Sequence, residues 1–223
     1  MNNYNCPNIT VFILICISSC ILFVSLFTGW YYVTYTNKIV DEFSFYSTNI
    51  IQKSSYKESK NTISWSDFDL KNTHKIINTC LAFSIIAFIL GILSIFAYYF
   101  KFRGHMTGSK RMPVVSRIGV ILMFICTIIS VSVLSGITSA FKKDLDGFNG
   151  GNNSTNTDSN DFKPFFYCND SCDKKWSGEI TNSIENSVTK FGPGPAFVIA
   201  CCSLLPQLLS IPIAILFSII PRI

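Results

Sequence analysis

The sequence predicts an all-α membrane protein, a four-transmembrane-helix bundle with a small extracellular antiparallel β-sheet built from its outer loops. Two observations carry this expectation. Charged residues make up only 14% of the chain, against about a quarter in an ordinary soluble domain. Their scarcity is concentrated in four long stretches that contain no Asp, Glu, Lys, Arg or His.

The first stretch runs over 9–30, the second over 76–100, the third over 118–141 and the fourth over 196–220. Each satisfies the rough requirement of 20 apolar residues at 1.5 Å rise for a hydrocarbon core of about 30 Å. Helices are the structure that such runs can take in lipid, because barrel strands are shorter and alternate in polarity. The first stretch is expected to be retained: its apolar core is longer than that of a signal peptide, and no Lys or Arg precedes it. Residues 1–223 thus read as a single four-span membrane domain.

Orientation follows from the connecting segments. The short connection 101–117 holds Lys101, Arg103, Lys110, Arg111 and Arg117 and no acid, and Arg222 flanks the fourth stretch on the same side. The positive-inside rule therefore puts this loop and both termini in the cytosol, and loops 31–75 and 142–194 outside. Loop one is expected to contain strands, because Tyr31, Val33 and Tyr35 alternate with Tyr32, Thr34 and Thr36. Phe43 and Phe45 alternate with Ser44 and Tyr46, and Ile63 and Trp65 with Ser64 and Ser66. Loop two opens on a low-complexity tract, Gly147 to Asp161, with too few apolar residues to order itself. A strand-like piece, Phe165–Tyr167, follows, and Gly192-Pro193-Gly194-Pro195 breaks the chain before the fourth span.

Of the nine cysteines, seven lie in or beside apolar stretches. Cys168 and Cys172 are the two clearly on the outer side, and an oxidising compartment favours a disulfide between them. Asn152, Asn153 and Asn169 each begin an N-x-S/T sequon in loop two and are candidates for glycosylation. Cys6, at the cytosolic edge of span one, is a candidate for S-palmitoylation, with a free thiol as the alternative. Cys201-Cys202 lack the C-x-x-C spacing and accessible thiolate of a redox pair and read as packing. Ala87/Gly91 and Gly136/Ala140 have the small-x-x-x-small spacing that lets helices approach closely, while Asn78 and Gln207 suit hydrogen bonds between helices. Pro206 and Pro212 are expected to loosen span four.

At Gly29-Trp30, the aromatic exit from span one into a strand-rich loop, the chain resembles the claudin/peripheral-myelin-protein tetraspan superfamily. The short basic cytosolic loop and the four-span order belong to the same resemblance. Members of that family carry a G-L-W and two cysteines in loop one, whereas loop one here has no cysteine. The resemblance implies a left-handed four-helix bundle topped by a small sheet, with Trp30 as the tryptophan where span one meets it. It also implies an adhesion, barrier or membrane-organising role.

The residues themselves point away from catalysis. His74 and His105 are expected on opposite sides of the membrane, and no serine-nucleophile or metal motif occurs. No cofactor is expected, and the net charge of +5 is not gathered on a domain suited to nucleic acid. The expectation is a non-enzymatic glycoprotein of the plasma membrane or endomembrane system. Its partners are the lipid bilayer and other membrane proteins or further copies of itself. A channel or pore subunit is the alternative.

Overall fold

The first apolar run forms helix α1, Cys6–Ser25, which stops five residues short of the sequence expectation. Its end is set by local bonds: the Ser25 hydroxyl donates to the Leu22 carbonyl at 2.7 Å, and Leu26 N–H to the Phe23 carbonyl at 3.2 Å. Such i to i−3 bonds tighten the last turn and leave Thr28 and Gly29 to redirect the chain. The computed structural model describes residues 6–36, 40–55, 59–68, 70–102, 112–150, 176–182 and 187–219.

The elements that follow are β1 (Tyr31–Thr36), β2 (Val40–Phe45), β3 (Ile50–Ser54), β4 (Ser59–Ile63), α2 (Trp65–Phe68), α3 (Lys71–Phe102), α4 (Met112–Leu134), α5 (Ile137–Gly150), β5 (Gly178–Asn182), β6 (Ser187–Pro193) and α6 (Pro195–Ile219). Three helical segments are long and apolar enough to cross a membrane: Lys71–Phe100, Ser116–Leu134 and Pro195–Ile215. The apolar part of α1 among the described residues, Ile9–Ser25, is shorter than these. The third run also departs from expectation. A turn at Ser135-Gly136 separates α4 from α5, with Ser135 N–H bonded to the Ser132 carbonyl and Gly136 N–H to that of Val133. α5 then continues to Gly150, into the tract expected to be unordered.

The chain divides into two units: Met1–Leu26, Leu81–Val131 and Val198–Ile223 form the first, and Phe27–Cys80 with Ser132–Phe197 form the second. The first is helical and inverted in polarity. Ser18, Ser84, Thr127, Ser130, Ser203 and Gln207 are buried, while Ile17, Ile89, Leu93, Ile118, Leu205 and Leu209 are exposed, Leu205 by 66%. Close approach is built in at Gly91, where an added Cβ would run into the Ser19 hydroxyl and lie 3.2 Å from Met123.

The second unit contains a six-stranded antiparallel sheet of order β4-β3-β2-β1-β6-β5. The strands at Tyr31–Thr36 and Val40–Phe45 stand where alternation predicts. Trp65, expected in a strand, instead opens the short helix α2, and Ile63 ends β4. The expected strand Phe165–Tyr167 lies outside the described residues; the strand beside β1 is β6, in register Tyr31↔Pro193, Val33↔Phe191 and Tyr35↔Thr189. One face buries Tyr31, Val33, Phe43, Phe45, Ile50 and Phe191. Against it stands Phe141 of α5, with ring centroids 5.7 Å from Tyr31 and 5.4 Å from Phe45, the latter edge-on. Such pairs add about 0.5–1.5 kcal/mol each beyond the area that they bury.

Tyr31, Phe43 and Phe45 of loop one are therefore core, whereas Tyr32 and Tyr46 are half-buried. Gly194 joins β6 to α6 where no side chain fits, since a Cβ there would collide with the Gly29 carbonyl oxygen. Its N–H bonds the Trp30 carbonyl at 2.8 Å, and Pro195 occupies the first helical position, where a missing N–H costs nothing.

Candidate functional site

Three arrangements of polar groups stand out. The first holds the start of α3. Leu70, the residue before that helix, has no side-chain acceptor to cap it, although its carbonyl receives the His74 N–H at 3.0 Å. The open donors of the first turn are met from elsewhere in the chain. Asp144 of α5 accepts Asn72 N–H at 3.0 Å and Asn72 Nδ2 at 2.8 Å on Oδ1, and Thr73 N–H at 2.9 Å and Thr73 Oγ1 at 2.7 Å on Oδ2. A carboxylate at a helix N-terminus satisfies orphan amides and complements the helix dipole at once. Asp144 is buried. Sequence reading missed it because the residues it caps lie 72 and 71 positions away.

One helical turn on, His74 stacks on Trp65, with ring centroids 4.6 Å apart and planes inclined by 12°. The Trp65 indole donates to the Tyr46 carbonyl at 3.0 Å, and His74 Nε2 lies 3.1 Å from the Ser47 carbonyl and 2.9 Å from Asn78 Nδ2. Asn78 was expected to bridge helices; its partner is instead on its own helix. These contacts tie the β2–β3 turn to α3 and leave His74 in a packing role.

The second arrangement lies inside the helical unit. Gln207 Nε2 points at Ser18 Oγ (2.8 Å), Thr127 Oγ1 (3.3 Å) and Ser203 Oγ (3.4 Å). Each of those hydroxyls has already given its proton to a backbone carbonyl, of Ser203, Met123 and Ala200 in turn. They therefore face the amide as acceptors, which fixes its orientation and leaves Gln207 Oε1 buried without a donor. The expectation that Gln207 bonds between helices holds, and Ser84–Ser130 at 2.9 Å adds a second hydroxyl contact between α3 and α4. Neutral groups that satisfy one another in this way fasten helices.

The third is the sheet face opposite the aromatic core, where Tyr32, Thr34 and Thr36 of β1 are half-buried. Burial pushes the Tyr31 phenol on the core side upward, with the neighbouring Tyr32 adding to the shift. Two buried indole nitrogens, Trp30 Nε1 and Trp176 Nε1, and the Ser187 hydroxyl have no hydrogen-bond partner among the described residues. Trp30 does stand where the first helix gives way to the sheet: it is 1% exposed, and its backbone N–H bonds the Phe45 carbonyl at 2.9 Å.

The residues singled out for modification are not brought into view. Cys168, Cys172, Asn152, Asn153 and Asn169 lie outside the described residues, as do His105 and Lys110-Arg111. Cys6 is the first residue of α1, with its side chain likewise outside what is described. Among the described residues, no group of three or more His, Cys, Asp or Glu side chains stands close enough to hold a metal ion.

The class these features define is that of a protein whose helices are built for lipid: three of them are long and apolar enough to cross a membrane. No protein-family model and no curated protein sequence matches the chain.

Proposed function

We propose that this chain is a four-span integral membrane protein that works through protein contacts made by its sheet-bearing unit, in an adhesion, barrier or membrane-organising role, and not through chemistry. The observation that carries the reading is the inverted helical unit, whose buried polar groups are neutral, hydroxyls and one amide, engaged with one another and with backbone carbonyls except at Ser19 Oγ and Gln207 Oε1. Ion-coupled carriers place ionisable groups inside their helices, and residues 81–100 and 118–134 hold none.

Helix α1 supports the fourth span. Its 20 residues extend about 30 Å at 1.5 Å per residue, the thickness of the hydrocarbon core. Its exposed Ile9, Ile13 and Ile17 have the same lipid-facing character as the other three helices. The acid-free basic connection supports cytosolic termini, with loops 31–75 and 142–194 outside.

The deciding experiment is co-purification from gently solubilised native membranes, paired with ion-flux and turnover assays on the protein in liposomes. The reading expects defined membrane-protein partners or further copies of the chain, and inert liposomes. Ion conductance without any stable partner would transfer the assignment to a channel subunit. Protease cleavage at Lys110-Arg111 on intact cells would overturn the orientation.

A further inference from the structure

The register of the sheet aligns six residues in one row across the face opposite the aromatic core: Lys60, Lys53, Glu42, Thr34, Lys190 and Glu179, one from each strand in spatial order. At the β5 end the row is matched, with Lys190 Nζ 3.3 Å from Glu179 Oε2. At the β4 end it is not. Lys53 and Lys60 are directly opposed across β3–β4, a like-charge pairing that destabilises a sheet. Glu42 opposes Lys53 on its other side, yet its Oε1 takes the Ser44 hydroxyl at 3.5 Å, and no ion pair joins it to Lys53 among the described residues.

A lysine on an edge strand commonly serves to repel unwanted pairing. That purpose accounts for Lys60 alone, because Lys53 lies one strand in and guards no edge. Among the described residues no strand lies on the outer side of β4, and Lys60, Asn61 and Thr62 are all exposed, although consecutive residues point to opposite faces. Edge strands carry a row of unpaired backbone donors and acceptors. The two features together, an edge with no neighbour among the described strands and a doubled cation on one face, are complementary to an extended segment that carries a carboxylate.

We propose that β4 is a docking edge for an acidic, extended segment of a partner protein, which adds a seventh strand and sets a Glu or Asp beside Lys60 and Lys53. Backbone bonds supply the affinity, and the lysine pair selects the register and the sign of charge. This rests on the contact function proposed above and names the chemistry of the partner.

The test uses the full chain in phosphatidylcholine nanodiscs, titrated by fluorescence anisotropy against a short labelled Thr/Val peptide with a central Glu. Its counterparts carry Lys at the same position or N-methyl groups on alternate amides. The Glu peptide should bind about fivefold more tightly than the Lys peptide, the scale of a well-placed exposed ion pair, with the preference fading at high salt. The Lys53→Glu/Lys60→Glu variant should reverse the preference, and N-methylation should abolish binding. Equal binding of the two peptides, no binding, or a preference unchanged by the charge reversal overturns the proposal. So does lysine-dependent binding of phosphatidylserine vesicles without peptide selectivity, or self-association that the variant removes. If native partners still co-purify with the Lys53→Glu/Lys60→Glu variant, the contact function stands and this edge is not its site.

Discussion

Replacing Asp144 tests whether a carboxylate from α5 holds the start of α3. Asp144→Ala removes the acceptor for two backbone N–H groups, one hydroxyl and one side-chain amide, all within 3.0 Å in the native protein. Losing an N-cap costs about 0.5–2 kcal/mol. Bonds to a charged group contribute about 1.5–3 kcal/mol each, but bonds within one network do not sum. The expected loss is about 3 kcal/mol, or a drop of roughly 6–12 °C in Tm for a chain of this length. Asp144→Asn keeps the shape but loses the charge and one acceptor, so it should fall between the two.

Thermal unfolding followed by tryptophan fluorescence reads the global effect. Hydrogen exchange at the Asn72 and Thr73 amides reads the local one, and both should exchange faster in Asp144→Ala. Adding Thr73→Val to Asp144→Ala should cost less than Thr73→Val alone, because its hydroxyl partner is already gone. A Tm for Asp144→Ala within a degree or so of wild type, with unchanged exchange at those two amides, would refute the capping argument.

Gln207→Leu should change stability by no more than about 1 kcal/mol, the scale of polar contacts inside membranes, because the three hydroxyls keep their backbone acceptors and an orphaned Oε1 disappears; chemical denaturation in detergent measures this. Gly91→Ala should stay within about 1 kcal/mol in the same assay, since its methyl group meets only the Ser19 hydroxyl, unbonded among the described residues, and the flexible Met123 side chain, against the higher helix propensity of Ala. Burial keeps the folded Tyr31 phenol protonated above the value near 10 at which an unfolded tyrosine ionises. Its contribution to stability is thus present below about pH 10 and falls as pH rises further; Tyr31→Phe should flatten that alkaline decline in a series of melts. Non-reducing mass spectrometry should find Cys168 linked to Cys172, and glycosidase treatment should shift the mass through Asn152, Asn153 or Asn169; two free thiols and an unchanged mass would remove both modifications.

Local composition and length, both written in consecutive residues, marked the apolar helical runs but neither the end of the first at Ser25 nor the turn at Ser135-Gly136 that divides the third. The sequence by itself also determined the first two strands, where Tyr31–Thr36 and Phe43–Phe45 alternate with period two. It could not determine that Trp65 begins a helix, because its alternation with Ser64 and Ser66 suits a strand equally well and the stack on His74 decides. Nor could it find β6, whose Val188, Thr189 and Phe191 carry only a weak pattern and become a strand by pairing with β1 from 152 to 162 positions away.

The aromatic residues of loop one are legible as hydrophobic but silent on which surface they meet; Phe141, arriving from α5, makes Tyr31 and Phe45 core. Asp144 looks like one more loop acid until it is set at the first turn of α3. The opposed lysines of β3 and β4 become neighbours only through strand register. Composition acts along the chain, whereas capping, charge pairing and ring packing act between segments, so those were settled by the tertiary structure.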